Sequence, residues 1–114
     1  MRQEWFDHAR FGLFVHFGLY SGAARHEWVQ NYERLTAEDY RQYFDNFDPD
    51  LFDAAALART AKETGMGYVV LTTKHHDGFC LWDSALTDYT SVAAVGRDLV
   101  REYVDALRAE GLKV

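Results

Sequence analysis

The sequence predicts an α/β fold, the N-terminal part of a (β/α)8 TIM-like barrel, and three observations carry that prediction. Short apolar runs alternate with helical stretches in the order strand, helices, strand, helix, strand onset, which is the mark of βαβ units and a parallel sheet. Each of the two complete strand runs stops at ionisable residues, and the C-terminal end of a parallel strand is where such folds bind ligands. The chain has 114 residues, whereas a complete barrel needs about 250. Residues 1–114 therefore read as one partial barrel domain, roughly the first two βα units plus the onset of the third strand.

The first strand is expected within Arg10–Gly18, where Leu13, Phe14 and Val15 form the apolar run, His16 closes it and Gly18 punctuates its end. Gly22, Ala23 and Ala24 suggest a loop. Arg25-His26-Glu27-Trp28 sets charge beside a large aromatic, a mix suited to a polar ligand with an apolar face. Taken alone, a Trp28 packed on the core surface and a solvated Glu27 explain the pair at least as well. Thr36, followed by Glu38 and Asp39, has the form of an N-cap with acids in the first turn. Tyr40, Tyr43 and Phe44 fall at helical spacing, and Phe47-Asp48-Pro49 ends that helix.

Asp53 to Thr64 is the clearest helix, with Ala54, Leu57, Ala58 and Ala61 on one stripe and Gly65 at its end. The second strand follows at once. Val69, Val70, Leu71, Thr72 and Thr73 have the composition of a strand buried on both faces. Polarity then changes within one residue to Lys74-His75-His76-Asp77, closed by Gly78. Four ionisable groups at the end of a buried strand cost desolvation energy, and such a cost implies a use. Leu81 to Val95 reads as a loop, of a length that is often functional. A helix is expected over Arg97–Ala109, with Leu99, Val100, Tyr103, Val104 and Leu107 on one face. Gly111 stops it, and Leu112-Lys113-Val114 opens a third strand.

Composition narrows the function. A formal net charge of -6 and the lack of any basic run argue against a nucleic-acid partner. The single cysteine, Cys80, rules out an intramolecular disulfide and fits a small semi-buried thiol. No apolar run approaches the roughly 18 residues a membrane span requires, so no membrane partner is expected. If Met1 is the natural start, the absence of a signal-like apolar segment points to the cytoplasm.

The chemistry permitted by the strand ends is limited. His75, His76 and Asp77, with His16, allow a metal reading, but adjacent residues on an extended chain point to opposite sides and would not normally chelate one ion. No G-x-S-x-G elbow and no phosphate-cradling glycine loop occur. A polar pocket of histidine, tryptophan and carboxylate suits a sugar, whose hydroxyls need donors and acceptors and whose C–H face stacks on an aromatic. Each histidine alone fits a hydrogen-bonded, partly buried side chain; three at neighbouring strand ends favour a site.

Phe11-Gly12-Leu13-Phe14-Val15-His16-Phe17-Gly18-Leu19-Tyr20-Ser21, Glu27-Trp28, and Val70 through Ser84 with its Lys74-His75-His76-Asp77-Gly78-Phe79 run closely resemble the N-terminal part of α-L-fucosidases of glycoside hydrolase family 29. Thr87-Asp88-Tyr89 and Gly96-Arg97-Asp98-Leu99-Val100 match in the same order. The resemblance implies a catalytic barrel that hydrolyses terminal α-L-fucose from glycans or glycoconjugates with retention, using two carboxylates and no cofactor or metal. Family members carry the nucleophile and the acid/base further downstream, so no catalytic residue is expected within this chain. The resemblance assigns substrate binding to His16, Glu27, Trp28, His75 and His76, and supporting roles to Asp77 and Trp82. Phe17 departs from the tryptophan of many relatives. A glycan with terminal fucose is the expected partner, the remainder of the barrel is needed, and an oligomer is compatible with it. The alternatives are a non-catalytic sugar-binding module and an inactive truncation product.

Overall fold

The elements run α1 (Glu4–His8), β1 (Gly12–Val15), α2 (Leu19–Ala23), α3 (Val29–Tyr32), α4 (Ala37–Asp45), α5 (Ala54–Glu63), β2 (Tyr68–Leu71), α6 (Ser91–Val95) and α7 (Leu99–Ala109) in a computed structural model that describes residues 4–114. Met1, on which the expectation of a natural start rests, lies outside them. β1 and β2 are parallel, in a register that sets Gly12 opposite Tyr68 and Val15 opposite Leu71. Lys113 bridges Tyr68 in parallel on the other side of β2, with Val69 N–H donating to the Lys113 carbonyl at 2.9 Å. The expected strand onset at Leu112-Lys113 is therefore present, and the class is α/β with parallel strands. Gly12 is required by its neighbour, because a Cβ there would stand 2.3 Å from the Tyr68 ring.

One side of the sheet is packed by α5 and α7. Asp53 caps α5 by accepting from Ala56 N–H at 2.8 Å, and Asp98 caps α7 by accepting from Arg101 N–H at 2.9 Å. Ala58 and Ala61 let α5 approach closely, and with Val69, Tyr103, Leu107 and Leu112 they form one buried cluster. Full burial of a leucine such as Leu107 contributes roughly 1.5–3 kcal/mol. Gly65 and Gly111 follow the two helices with φ of +84° and +75°, a conformation natural to glycine.

A second buried cluster joins Leu19, Tyr20, Ala23, Val29, Tyr40, Phe79, Leu81 and Leu99. Thr36 caps α4 as expected, accepting from Asp39 N–H at 3.1 Å. Arg97 buckles this half: its guanidinium pairs bidentately with Glu102 at 2.9 and 2.6 Å and donates to the Pro49 and Phe52 carbonyls at 2.9 and 3.2 Å.

Three local expectations are corrected. Gly22 and Ala23 are helical, because Leu19, Tyr20 and Ala23 bury one face together, and the turn comes only at Ala24, with φ of +54°. The loop expected over Leu81–Val95 contains α6, capped by Thr90, which accepts from Ala93 N–H at 3.0 Å. β2 ends at Leu71 rather than Thr73, and it is not buried on both faces: Val69 is fully buried, whereas Val70 and Leu71 are half-buried.

Candidate functional site

Parallel register brings the two strand ends to one side of the sheet. His16 follows Val15 directly, and Thr72 N–H still donates to the Val15 carbonyl at 3.0 Å before the chain leaves β2. A turn then carries His75, His76 and Asp77. Gly78 N–H donates to the His75 carbonyl at 3.1 Å, and Gly78 has φ of +80°, where a side chain would be strained. The Asp77 carboxylate holds the turn at both oxygens: Oδ1 accepts from Phe79 N–H at 3.1 Å, and Oδ2 accepts from the Tyr40 hydroxyl at 2.9 Å. Tyr40 is buried on α4. Burial and the neighbouring Asp77 carboxylate push its phenol well above the ordinary range, so it remains a donor.

The rings assemble above this turn. His16 lies edge-on to His75 with centroids 5.8 Å apart, Trp28 lies edge-on to His75 at 4.9 Å, and Trp28 stacks on His76 at 4.7 Å with 27° between planes. Trp28 nevertheless keeps 39% of its surface exposed, which leaves indole area for a ligand. The expectation that His75 and His76 point apart fails, because the chain is no longer extended there: their Nδ1 atoms are 2.8 Å apart. One Nδ1 carries a hydrogen and the other accepts it. Burial, against the opposing pull of Asp77, lowers the His76 pKa; His75 lowers it further and Glu27 opposes. Among the described residues, no group of three or more His, Cys, Asp or Glu side chains is placed to hold a metal ion.

Glu27 and Trp28 are carried by the turn before α3, closed by Val29 N–H donating to the His26 carbonyl at 3.2 Å and anchored by the buried Val29. Glu27 is half-buried and lines a cavity of about 230 Å³ with His16, Tyr20, Ser21, Arg25 and His26. Arg25 is tied to Glu33, with Nη2 to Oε2 at 2.9 Å.

Of the residues singled out from sequence, His16, Trp28, His75 and His76 meet in one ring cluster, Glu27 borders it, and Asp77 supports it from below. Trp82 lies elsewhere, in a groove with Val100, Arg101, Val104 and Arg108 on α7. Phe17 stacks on Phe52 at 5.1 Å and turns to the core. Tyr20 and Tyr40 were not anticipated as parts of the site. Tyr40 offered only its helical spacing as a signal, and the partner that gives it a role is 37 residues away.

The family model described as alpha-L-fucosidase matches residues 1–114. Tissue alpha-L-fucosidase of Bos taurus is 35% identical over 127 residues, covering 96% of this chain and 27% of the relative. That of Rattus norvegicus is 37% identical over 128 residues, covering 96% and 28%. The structure of alpha-L-fucosidase isoenzyme 1 from Paenibacillus thiaminolyticus superposes with a TM-score of 0.94 at 60% identity, covering 97% of this chain and 27% of that one. A Bacteroides thetaiotaomicron GH29 alpha-L-fucosidase, trapped as a covalent intermediate, superposes with a TM-score of 0.90 at 37% identity, covering 96% and 28%. The chain thus spans a little over a quarter of the length of these relatives. A match along its whole length, at this identity, places the chain in the α-L-fucosidase family.

Proposed function

We propose that this chain forms the fucose-binding part of a retaining α-L-fucosidase, as the first two βα units and third-strand onset of a (β/α)8 barrel. The observation that carries the reading is the cluster of His16, His75, His76 and Trp28 at the two strand ends, with Glu27 at its border. Imidazole nitrogens not engaged between His75 and His76 offer hydrogen bonds to ring hydroxyls, and the partly exposed indole offers apolar contact area to C–H groups. Fucose has such a face, since its C6 is a methyl group. Retention is supported by the Bacteroides relative, whose trapped covalent intermediate formed with 2-fluoro-fucosyl fluoride; a glycosyl-enzyme is the retaining route.

The local carboxylates do not supply the pair of groups that hydrolysis requires. Asp77 has both oxygens engaged, by Phe79 and Tyr40. The resemblance to the family assigns the nucleophile and the acid/base to the remainder of the barrel. L-fucose titrated into the complete barrel that contains this chain and followed by ligand-observed NMR tests the binding half of the proposal. His16→Ala, His75→Ala and His76→Ala are each expected to weaken binding by roughly tenfold, the cost of one buried partner left unpaired. Binding unchanged in all three variants would refute the assignment, and loss of binding on adding a chelator would move it to a metal site. No hydrolysis of an aryl α-L-fucoside by the chain alone is expected, because the nucleophile and the proton donor are both missing.

A further inference from the structure

Tyr20 is more than nine-tenths buried, and its hydroxyl, closed off from solvent, has no hydrogen-bond partner. Leaving a buried polar group unpaired costs roughly 1–3 kcal/mol, so such a group calls for an explanation. The ring is not placed by accident of loose packing. It folds back over residue 18, where a Cβ would stand 2.9 Å from Tyr20 Cε1, so Gly18 makes room for it. Its other side lies edge-on to His75 with centroids 5.6 Å apart, and it lines the same cavity as Glu27.

Burial, with the nearby Asp77 and Glu27 carboxylates adding to it, pushes the phenol up to about 12. It is therefore a neutral donor at every physiological pH. Asp77 already holds Tyr40 and Phe79 N–H. Glu27 has no side-chain hydrogen bond or ion pair among the described residues and sits on a turn at the cavity edge.

We infer that Tyr20 is a positioning residue for Glu27: its unpaired hydroxyl donates to the Glu27 carboxylate once a sugar draws that side chain inward. The filled pocket then has Glu27 fixed by Tyr20 on one side and free to accept from a sugar hydroxyl on the other. The inference rests on the pocket being a fucose site.

Removing a hydroxyl that has no partner has an unusual signature. Tyr20→Phe in the complete barrel is expected to leave the thermal midpoint equal or higher, while weakening L-fucose binding by roughly tenfold, as for a hydrogen bond to a charged group. In a cycle with Glu27→Gln, the two substitutions are expected to be non-additive in binding and additive in stability. A lower midpoint for Tyr20→Phe overturns the inference, because the hydroxyl then has a structural partner. Unchanged affinity, or additive losses of affinity, overturns it as well. Failure of the complete unsubstituted barrel to bind L-fucose refutes the proposed function instead. The stability arm then decides alone: a lower midpoint counts against the unpaired hydroxyl, and an equal or higher one supports it.

Discussion

The two buried clusters are built on different principles. The one between β2, α5 and α7 is small-residue and periodic, with Ala58, Ala61, Val69 and Leu107 meeting along regular elements. The one around α2, α4 and the turn at His75 is aromatic and joined by irregular chain, and its order depends on individual polar contacts such as Tyr40 to Asp77. Two of the buried polar atoms left without a partner, Tyr20 Oη and His76 Nε2, flank the site there. The periodic half carries one such atom as well, Tyr103 Oη, but well away from the ring cluster, so only in the aromatic half do unpaired polar atoms lie beside the site.

The largest effect that would sharpen this contrast is expected in the periodic half. Leu107→Ala removes a fully buried side chain and should cost about 2–5 kcal/mol, read as a lower urea midpoint with an unchanged slope. A loss below about 1 kcal/mol would show that this cluster is not the main source of stability.

Next comes Tyr40→Phe, which removes the donor to Asp77 with almost no change in volume. A hydrogen bond to a charged group accounts for about 1.5–3 kcal/mol. The substitution is expected to lower the midpoint and also to weaken fucose binding, because the turn carrying His75 and His76 loses its tie to α4. A full loss of stability with affinity intact would place the bond outside the site.

Trp28→Ala should separate the halves most cleanly. The indole is partly exposed, so stability should shift by no more than about 1 kcal/mol, while L-fucose affinity falls by roughly tenfold or more, as the stacking surface is lost. Equal effects on both would contradict the division.

The smallest effect concerns pH. His76 is held below its ordinary pKa chiefly by burial. The unfolded chain therefore takes up this proton more readily than the folded one. The contribution of neutral His76 is present above about pH 6.5 and is lost as pH falls through the lowered folded value. Thermal midpoints between pH 7 and pH 5 should decline less for His76→Phe than for the unsubstituted chain; parallel declines would show that His76 does not titrate against folding.

How much was legible in the sequence follows the same division. Thr36 and Gly65 announced helix ends through chemistry local to a few residues, and the alanine stripe of α5 announced its buried face. The strand-end histidines were legible because apolar runs stop there. The helicity of Gly22 and Ala23 was not, since it depends on Leu19 and Tyr20 finding Val29 and Tyr40 in space. The facing of His75 and His76 was hidden for a related reason: it is set by Gly78 and by Asp77 bonding to a distant tyrosine, not by strand alternation.

Arg97 carries a consequence for the order of assembly. Its guanidinium joins the Pro49 and Phe52 carbonyls across 48 and 45 residues, closing a loop that contains α5, β2, the histidine turn and α6. The entropy of closing so long a loop has to be met before any of its contacts are rewarded. The helices can form early from their own caps, whereas the ring cluster is expected to become native only after this buckle has shut. Arg97→Met should therefore slow refolding more than it speeds unfolding, as for a contact formed by the rate-limiting step. The strand-end histidines would then be the last part of the chain to find their partners and the first to lose them.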